Sequence, residues 1–417
     1  MFDKRKTGNF IIDRRRELGM TQRQLADKLS ISFQSVSKWE NGIAYPSISI
    51  LYNLAIALDV TVDEILLGSK KETEGQLYRI SGIDASYEKK LKREIAKCLE
   101  TNDFRLLNRV DATASLYDIE FPEIRDLVLV LKSDGLGAKQ KLAAEYGFTE
   151  SICYDLINRL VNDIVIMGAK PLAVLDTIIC GKAEISTIKN LVKAMSEACK
   201  LNECSLVGGK TLIQPSIVNS GNYILTSSAM GIVERTKIID GSTIEKGDSV
   251  LAIVSNGLHT NGYSLIHSLL EKKPSMQEDK INGLSFIEQI MKPHISYYAA
   301  LKDLLDQDVI HGMAHITGGG IEYNLNQIVP EGLCAIIDLS QIRVLDIFKY
   351  IHINGNINDN EMLHIFNCGV GVILVVAPVH KEYVINYIKN FYACYEIGLI
   401  MDKGNSKVTF KGRINWL

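Results

Sequence analysis

The 417-residue sequence predicts a multidomain chain, with an all-α N-terminal domain followed by a larger domain in which strands and helices alternate. Three observations lead there. The length suits two or three domains rather than one. Apolar residues recur at helical spacing in five short blocks between Asn9 and Leu67. From Leu127 onward, short runs of branched apolar residues alternate with amphipathic helical patterns, with glycine-rich loops between them.

Within the first blocks, Ile11, Ile12, Arg15 and Leu18 space one helix. Thr21 caps a second that carries Leu25, Ala26 and Leu29. Ser32 caps a third, Phe33 to Glu40, which Asn41-Gly42 stops in the left-handed conformation. Ser47 opens a fourth with Ile50, Leu51, Leu54, Ala55 and Leu58, and Thr61 caps a short fifth with Ile65 and Leu66. The second and third helices, joined by a tight turn, form a helix-turn-helix unit.

Residues 1–68 resemble the lambda-repressor-like (Xre) DNA-binding family. The resemblance rests on R-x-x-L-G-M-T-Q-R-Q-L-A (Arg15 to Ala26), V-S-K-W-E-N-G (Val36 to Gly42), Pro46-Ser47 and L-x-x-L-A-x-A-L-x-V (Leu51 to Val60). It implies that the third helix enters the major groove of double-stranded DNA with Ser32, Gln34, Ser35, Ser37 and Lys38 outward, while Val36 and Trp39 face the core. Gln34 suits adenine and Lys38 guanine, and Gln22 with Arg23 would meet phosphate. The competing reading is a five-helix protein-interaction module with a solvated polar face. One unit reads a half-site, so a dimer on a palindromic operator is expected.

Residues 69–77 are polar and lack an apolar period, as a flexible linker would. Tyr78 to Asp84 reads as a small strand or turn, and Tyr87 to Glu100 as an amphipathic helix with Leu91, Ile95 and Leu99 on one side. Net charge is −3, so DNA binding has to be a local property of the N-terminal segment. Eight cysteines without a C-x-x-C pair speak against a structural zinc site or a disulfide framework and for a reducing compartment. Neither a signal peptide nor a membrane-spanning apolar run is visible, so a cytoplasmic location is expected.

The larger domain opens with Leu127–Leu131, a continuous branched run expected to be a buried strand. It leads into Asp134-Gly135-Leu136-Gly137, where glycines permit close backbone approach and a carboxylate can hold a divalent cation beside phosphate. The helical pattern Ile157-Leu160-Val161-Ile164-Val165 brings a second acidic and amide pair, Asn162 and Asp163. Further on, a strand at Ser249–Val254 opens into the Gly- and hydroxyl-rich loop Ser255–Ser264 before a helix, an arrangement that presents free amides to an anion. His315-Ile316-Thr317-Gly318-Gly319-Gly320 repeats it.

From about Tyr78 to about residue 410 the chain resembles phosphoribosylformylglycinamidine cyclo-ligase, the aminoimidazole ribonucleotide synthetase of purine synthesis. The motifs are S-D-G-L-G-A-K (from Ser133), V-N-D (from Val161) with G-A-K-P, L-V-G-G (from Leu206), I-I-D-G-S (from Ile238), S-N-G-L-H-T-N-G-Y-S-L (from Ser255), H-I-T-G-G-G and E-M-x-x-x-F-N-C-G-V-G (from Glu361). The resemblance implies a two-lobed α/β (α+β) fold, with lobes 78–235 and 236–417, and a homodimer whose strands meet at the interface. It implies ATP-dependent ring closure of formylglycinamidine ribonucleotide, with ATP and Mg2+ as candidate cofactors. Catalytic roles would fall to Asp134, Lys139, Asp163, Lys210 and His259, with Asp134 and Asp163 holding metal. Nucleotide and substrate contacts would come from Ser133, Gly135, Gly137, Asn162, Gly208, Gly209, Asn261, Gly262, His315, Thr317, Gly318, Gly319, Gly320, Asn367 and Gly369.

Three departures stand out against that pattern. The glycine-rich loop that wraps the triphosphate in the family is Leu107–Tyr117 here and holds no glycine. The family's Gly-Gly-Glu-Thr is Gly208-Gly209-Lys210-Thr211, an acid turned into a base that would either repel a cation or stand in for it beside phosphate. The Thr after the Asp-Gly motif is Ala138. Erosion confined to the nucleotide side predicts a ligand-binding transcriptional regulator, and the alternative is an active cyclo-ligase carrying a DNA-binding domain.

Overall fold

The computed structural model describes residues 3–69, 85–99, 103–108, 112–402, 404 and 406–416. The chain forms two compact units, Met1–Glu88 and Lys89–Leu417. Their division falls inside a helix, α6 (Ala85–Cys98), rather than at residues 77/78. The expected strand or turn at Tyr78–Asp84 and the expected linker beyond Ser69 lie outside the described residues.

The first unit contains the five expected helices: α1 (Lys4–Glu17), α2 (Gln22–Lys28), α3 (Phe33–Glu40), α4 (Ile48–Leu58) and α5 (Val62–Leu67). Thr21 and Thr61 each close a full capping box, with Gln24 and Glu64 reaching back to the cap amide. Ser32 and Ser47 occupy N-cap positions without capping. Their hydroxyls pair instead with Ser35 Oγ at 2.9 Å and Ser49 Oγ at 3.0 Å. Ile11, Leu25, Val36, Leu54, Leu58 and Ile65 are fully buried, so all five helices feed one core. A buried ion pair ties the unit together: Arg15 Nε meets Glu40 Oε1 at 2.6 Å and its terminal nitrogen meets Oε2 at 2.9 Å. That bond, with the nearby negative charge, raises the Arg15 pKa despite burial.

In the second unit the strands β1 (Leu127–Gly135), β2 (Lys170–Cys180), β3 (Ser205–Ile213) and β4 (Tyr223–Glu234) form a sheet in the order β1-β4-β2-β3. Only the β2–β3 pair is parallel. Helices α7 (Lys139–Tyr146), α8 (Ser151–Val165) and α9 (Ile185–Leu201) lie in the same stretch, and the apolar residues of α8 and α9 cover one face of the sheet. Part of the other face is covered by a cluster of Phe121, Ala173, Val207 and Ile232. The rest is open, with Leu129 44%, Leu131 72% and Leu175 48% exposed. β1 is therefore a strand as expected but not a buried one, because it is an edge strand with an uncovered outer side.

The second sheet contains β5 (Ser249–Val254), β8 (Ile310–His315), β9 (Leu333–Asp338), β10 (Val370–Val376), β11 (Cys394–Asp402) and β12 (Val408–Lys411), in the order β12-β9-β11-β5-β10-β8. β6 (Lys280–Ile281) and β7 (Leu284–Ser285) form a separate small pair. Every residue of β10 is buried, which makes it the spine of this sheet. Helix α10 (Tyr263–Lys272) follows the loop after β5, and α11 (Gly320–Asn326) follows the loop after β8. At the seam Lys139 of α7 donates to the His259 carbonyl in the loop after β5, Asn158 and Asn162 of α8 donate to the His294 and Ile295 carbonyls, and Asp163 of α8 bonds His315 at the end of β8.

Candidate functional site

Strand register arranges the first sheet into rows. Asp134 pairs with Ser227, Ser227 with Asp176 and Asp176 with Gly209, while Gly135, Thr226, Thr177 and Lys210 form the next row. Side chains of adjacent rows project to opposite faces. The row of Asp134 faces the covering helices, where Ser227 and Asp176 are buried, and the row of Lys210 faces the open side. The expected proximity of Lys210 to the acids is thus overturned within this chain by pleat parity. Ser133 and Gly208 share that outer side, and Ser133 Oγ accepts from Ser228 Oγ at 3.0 Å. Gly209 is obligatory, since a Cβ there would lie 2.1 Å from Asp176 Oδ1. Burial pushes the Asp176 carboxyl up to about 7.

Asp134 and Asp163 do come together, but not as an open metal pair. Arg159 and Asp163 sit four residues apart on α8 and so share a face. Arg159 Nε lies 2.8 Å from Asp134 Oδ2, and the same guanidinium donates to Thr260 Oγ1 at 3.2 Å. Lys132 Nζ lies 2.9 Å from Asp163 Oδ2 and 3.8 Å from Asp134 Oδ2. His315 Nδ1 is 2.7 Å from Asp163 Oδ1. Burial alone would raise the Asp163 carboxyl, yet the His315 hydrogen bond and the Lys132 ammonium outweigh it and hold it at about 2. Two carboxylates are already matched by two cationic side chains. These residues do not fit a resident magnesium ion, which corrects the metal role expected of Asp134 and Asp163, and no chemical step is routed through one.

Three further expected site residues are consumed by the fold. Lys139 is fully buried and donates to Asp155 Oδ1 at 2.8 Å and to the His259 and Lys292 carbonyls at 2.9 Å each. Its three protons are spent, so it positions two loops instead of acting on substrate. Burial pulls its pKa down, against the pull of Asp155. Asn162, also buried, accepts from the Tyr297 amide at 2.8 Å and donates to the Ile295 carbonyl at 2.9 Å. Asn367 is spent likewise on Ser255, Gly257 and the Gly369 amide.

The glycine-rich loops of the second lobe keep outward-facing groups. Gly318 is exposed and Thr317 and Asn261 are half-buried, although Asn261 Nδ2 is itself a buried atom without a hydrogen-bond partner. Gly320 has a φ of +64°, and a Cβ there would lie 1.8 Å from the Leu363 carbonyl oxygen. Gly137, Gly262, Gly319 and Gly369 also have positive φ. Beneath the loops His259 is 1% exposed, stacked on His294 with ring centroids 3.8 Å apart, so it faces the interior and not an open substrate cleft. A cavity of about 320 Å³ opens beside Asn256, Gln289 and Lys292 on the second-lobe side. The chain Thr260–Arg159–Asp134, Lys132–Asp163–His315 and His294–His259 is thus continuous across the seam.

Sequence reasoning passed over Lys132, Arg159, Asp176 and His294. Lys132 directly precedes the Ser-Asp-Gly motif, and the four-residue spacing of Arg159 and Asp163 on a recognised helix was the available signal for Arg159. His294 lies outside any glycine-rich motif and carries no such signal.

In the first unit Gln34, Lys38 and Ser32 on α3 are exposed, with Ser35 and Ser37 half-buried beside them. Arg23 is exposed, but Gln22 donates its amide to Glu40 Oε2 at 2.6 Å. Gln22 therefore fixes α3 against the start of α2, with one of its two amide hydrogens spent on that internal bond.

Comparison with known proteins agrees with this division. Residues 11–65 match a helix-turn-helix family model. Residues 114–233 match the N-terminal domain model of AIR synthase related proteins, and residues 245–411 the C-terminal one. Phosphoribosylformylglycinamidine cyclo-ligase of Nitrosospira multiformis is 38% identical over 306 residues, covering 73% of this chain and 87% of that protein. The Burkholderia vietnamiensis protein of the same name is 35% identical over 319 residues, 75% of this chain and 90% of its own. Among solved structures, thiamine-monophosphate kinase from Stenotrophomonas maltophilia matches with TM-score 0.56 at 15% identity, covering 78% of this chain and 96% of that one. The E. coli hydrogenase maturation protein HypE matches with TM-score 0.57 at 16% identity, covering 78% and 94%. Past its helix-turn-helix segment, the chain belongs to the phosphoribosylformylglycinamidine cyclo-ligase family of AIR synthase related proteins.

Proposed function

We propose that this protein is a DNA-binding transcriptional regulator whose cyclo-ligase-like domain dimerises and binds a nucleotide or a purine-pathway ribonucleotide. The observation that carries the reading is the neutralised acid pair: Asp134 and Asp163 are already matched by Arg159 and Lys132. A site so balanced can hold a nucleotide phosphate by rearranging Lys132 or Arg159, but it starts without the negative charge that attracts magnesium. The glycine-free stretch Leu107–Tyr117 points the same way, with Leu107 N bonded to the Leu116 carbonyl and Ser115 Oγ to the Val207 carbonyl. Exposed Leu129, Leu131 and Leu175 supply an apolar sheet face for self-association, and a two-fold pair of α3 helices suits a palindromic operator. A ligand that binds the DNA-competent state better than the other would act as the switch.

A second reading, an active ATP-dependent cyclo-ligase that also binds DNA, is favoured by the 38% identity extending over 87% of an enzyme-named relative. One experiment separates them. Full-length protein is mixed with ATP, Mg2+ and formylglycinamidine ribonucleotide, and binding is followed by calorimetry and turnover by phosphate release. The regulator reading expects ribonucleotide or nucleotide binding without turnover and an altered affinity for operator DNA. Sustained substrate-dependent phosphate release would establish the enzyme instead.

A further inference from the structure

We propose that His259, His294 and His315 form a binding site for a late first-row divalent metal ion, foremost Zn2+, with Asp163 as the carboxylate that orients it. One ring nitrogen from each histidine lies within 4.8 Å of the others, and all three residues are buried.

The contact geometry carries the case. His315 Nδ1 lies 2.7 Å from Asp163 Oδ1, so that ring nitrogen is turned to the carboxylate. That leaves Nε2 as the ring nitrogen of His315 placed to ligate. The Asn162 amide is oriented by its bonds to Tyr297 and Ile295, which leaves one Nδ2 hydrogen aimed at His294 Nε2, 3.3 Å away. That nitrogen must present a lone pair. His315 Nε2 and His294 Nε2 face each other across 3.0 Å. Such a contact is stable only with a cation between them, either a metal ion or a shared proton.

Geometry and surroundings favour the metal. With Zn–N bonds of about 2.0–2.1 Å, tetrahedral ligand nitrogens stand about 3.3 Å apart, close to the separation seen. His259 completes the set. Neither of its ring nitrogens has a hydrogen-bond partner, so no bond opposes a rotation of the ring out of its stack with His294 and toward the ion. The Asp163–His315 bond reproduces the carboxylate–histidine support that fixes a ligating imidazole. Three imidazoles suit Zn2+ and its neighbours better than Mg2+.

The test uses full-length protein. Metal content is measured by plasma mass spectrometry after exhaustive dialysis, and chelator-treated protein is titrated with Co2+ while visible absorption is recorded. The expected result is about one retained ion per chain and the intense d–d bands of low-coordinate Co2+. His259→Gln, whose side chain gives up no hydrogen bond, should fold and lose the ion, and Asp163→Asn should weaken retention about 10–100-fold. Wild-type protein that is folded by circular dichroism but shows no stoichiometric metal and no Co2+ bands would overturn the proposal in favour of a proton shared by His294 and His315. This outcome is independent of nucleotide binding, so it can fail while the functional reading stands.

Discussion

Glu40→Ala tests whether α3 is held by a buried charge. Glu40 is 2% exposed at its side chain and Arg15 10%, and the carboxylate takes hydrogen bonds from Arg15 Nε at 2.6 Å, from the second Arg15 nitrogen at 2.9 Å and from Gln22 at 2.6 Å. Removing it leaves the Arg15 guanidinium desolvated with only the Met20 carbonyl, at 2.7 Å, as a remaining acceptor. Breaking such a pair costs about 3–5 kcal/mol. In a domain of this size each kcal/mol moves Tm by about 4–8 °C, so the midpoint should drop by more than about 10 °C. The chain has two tryptophans, and Trp39, 6% exposed, lies beside Glu40. In a Trp416→Phe background, Trp39 fluorescence during urea unfolding therefore reports this unit alone. The double variant Arg15→Met/Glu40→Leu should recover most of the loss, because it removes both charges. A loss below about 1 kcal/mol, or a double variant as unstable as the single, would refute a buried charge pair as the clamp.

Two other outcomes follow from the second unit. Asp176 ionises near 3.8 when unfolded and at about 7 when folded, so the unfolded chain releases its proton first. Its contribution to stability is therefore lost as pH climbs from about 4 to about 7, by about 4 kcal/mol at 1.36 kcal/mol per pH unit. Asp176→Asn should flatten that fall in urea midpoints measured at pH 5 and pH 8, and an unchanged pH profile would count against the assignment. Lys139→Met removes one partner of a fully buried pair and frees the His259 and Lys292 carbonyls, at a cost of about 3–5 kcal/mol. Nearly wild-type stability with selective loss of turnover would instead restore a chemical role to Lys139.

How much of this was legible without coordinates depended on whether the signal was local. The five helices of the first unit announce themselves through 3.6-residue spacing and through Thr21 and Thr61, whose capping boxes need only a glutamine or glutamate three residues on. Strand positions were equally readable, since branched runs such as Val250–Val254 and Val370–Val376 have few alternatives. What the sequence did not disclose was which face of a strand or helix a residue would occupy once paired. Leu129 and Leu131 looked buried because composition carries no information about an edge. Lys210 seemed to belong with Asp134 until the β1-β4-β2-β3 register placed the two on opposite sides of one sheet.

The same gap hid the electrostatics of the candidate site. Motif residues suggested a pair of free carboxylates, whereas Lys132 comes from the strand that carries Asp134, and Arg159 from the helix that carries Asp163. Each base crosses over to the acid of the other element, Arg159 to Asp134 and Lys132 to Asp163. A charge lattice of that kind depends on where a helix crosses a sheet, which is a tertiary fact. It also gives the functional reading its physical content: a nucleotide has to compete with two internal ion pairs, so binding must move Lys132 or Arg159. Asp163 bonds His315 and Arg159 bonds Thr260, so that movement reaches both glycine-rich loops of the second lobe directly.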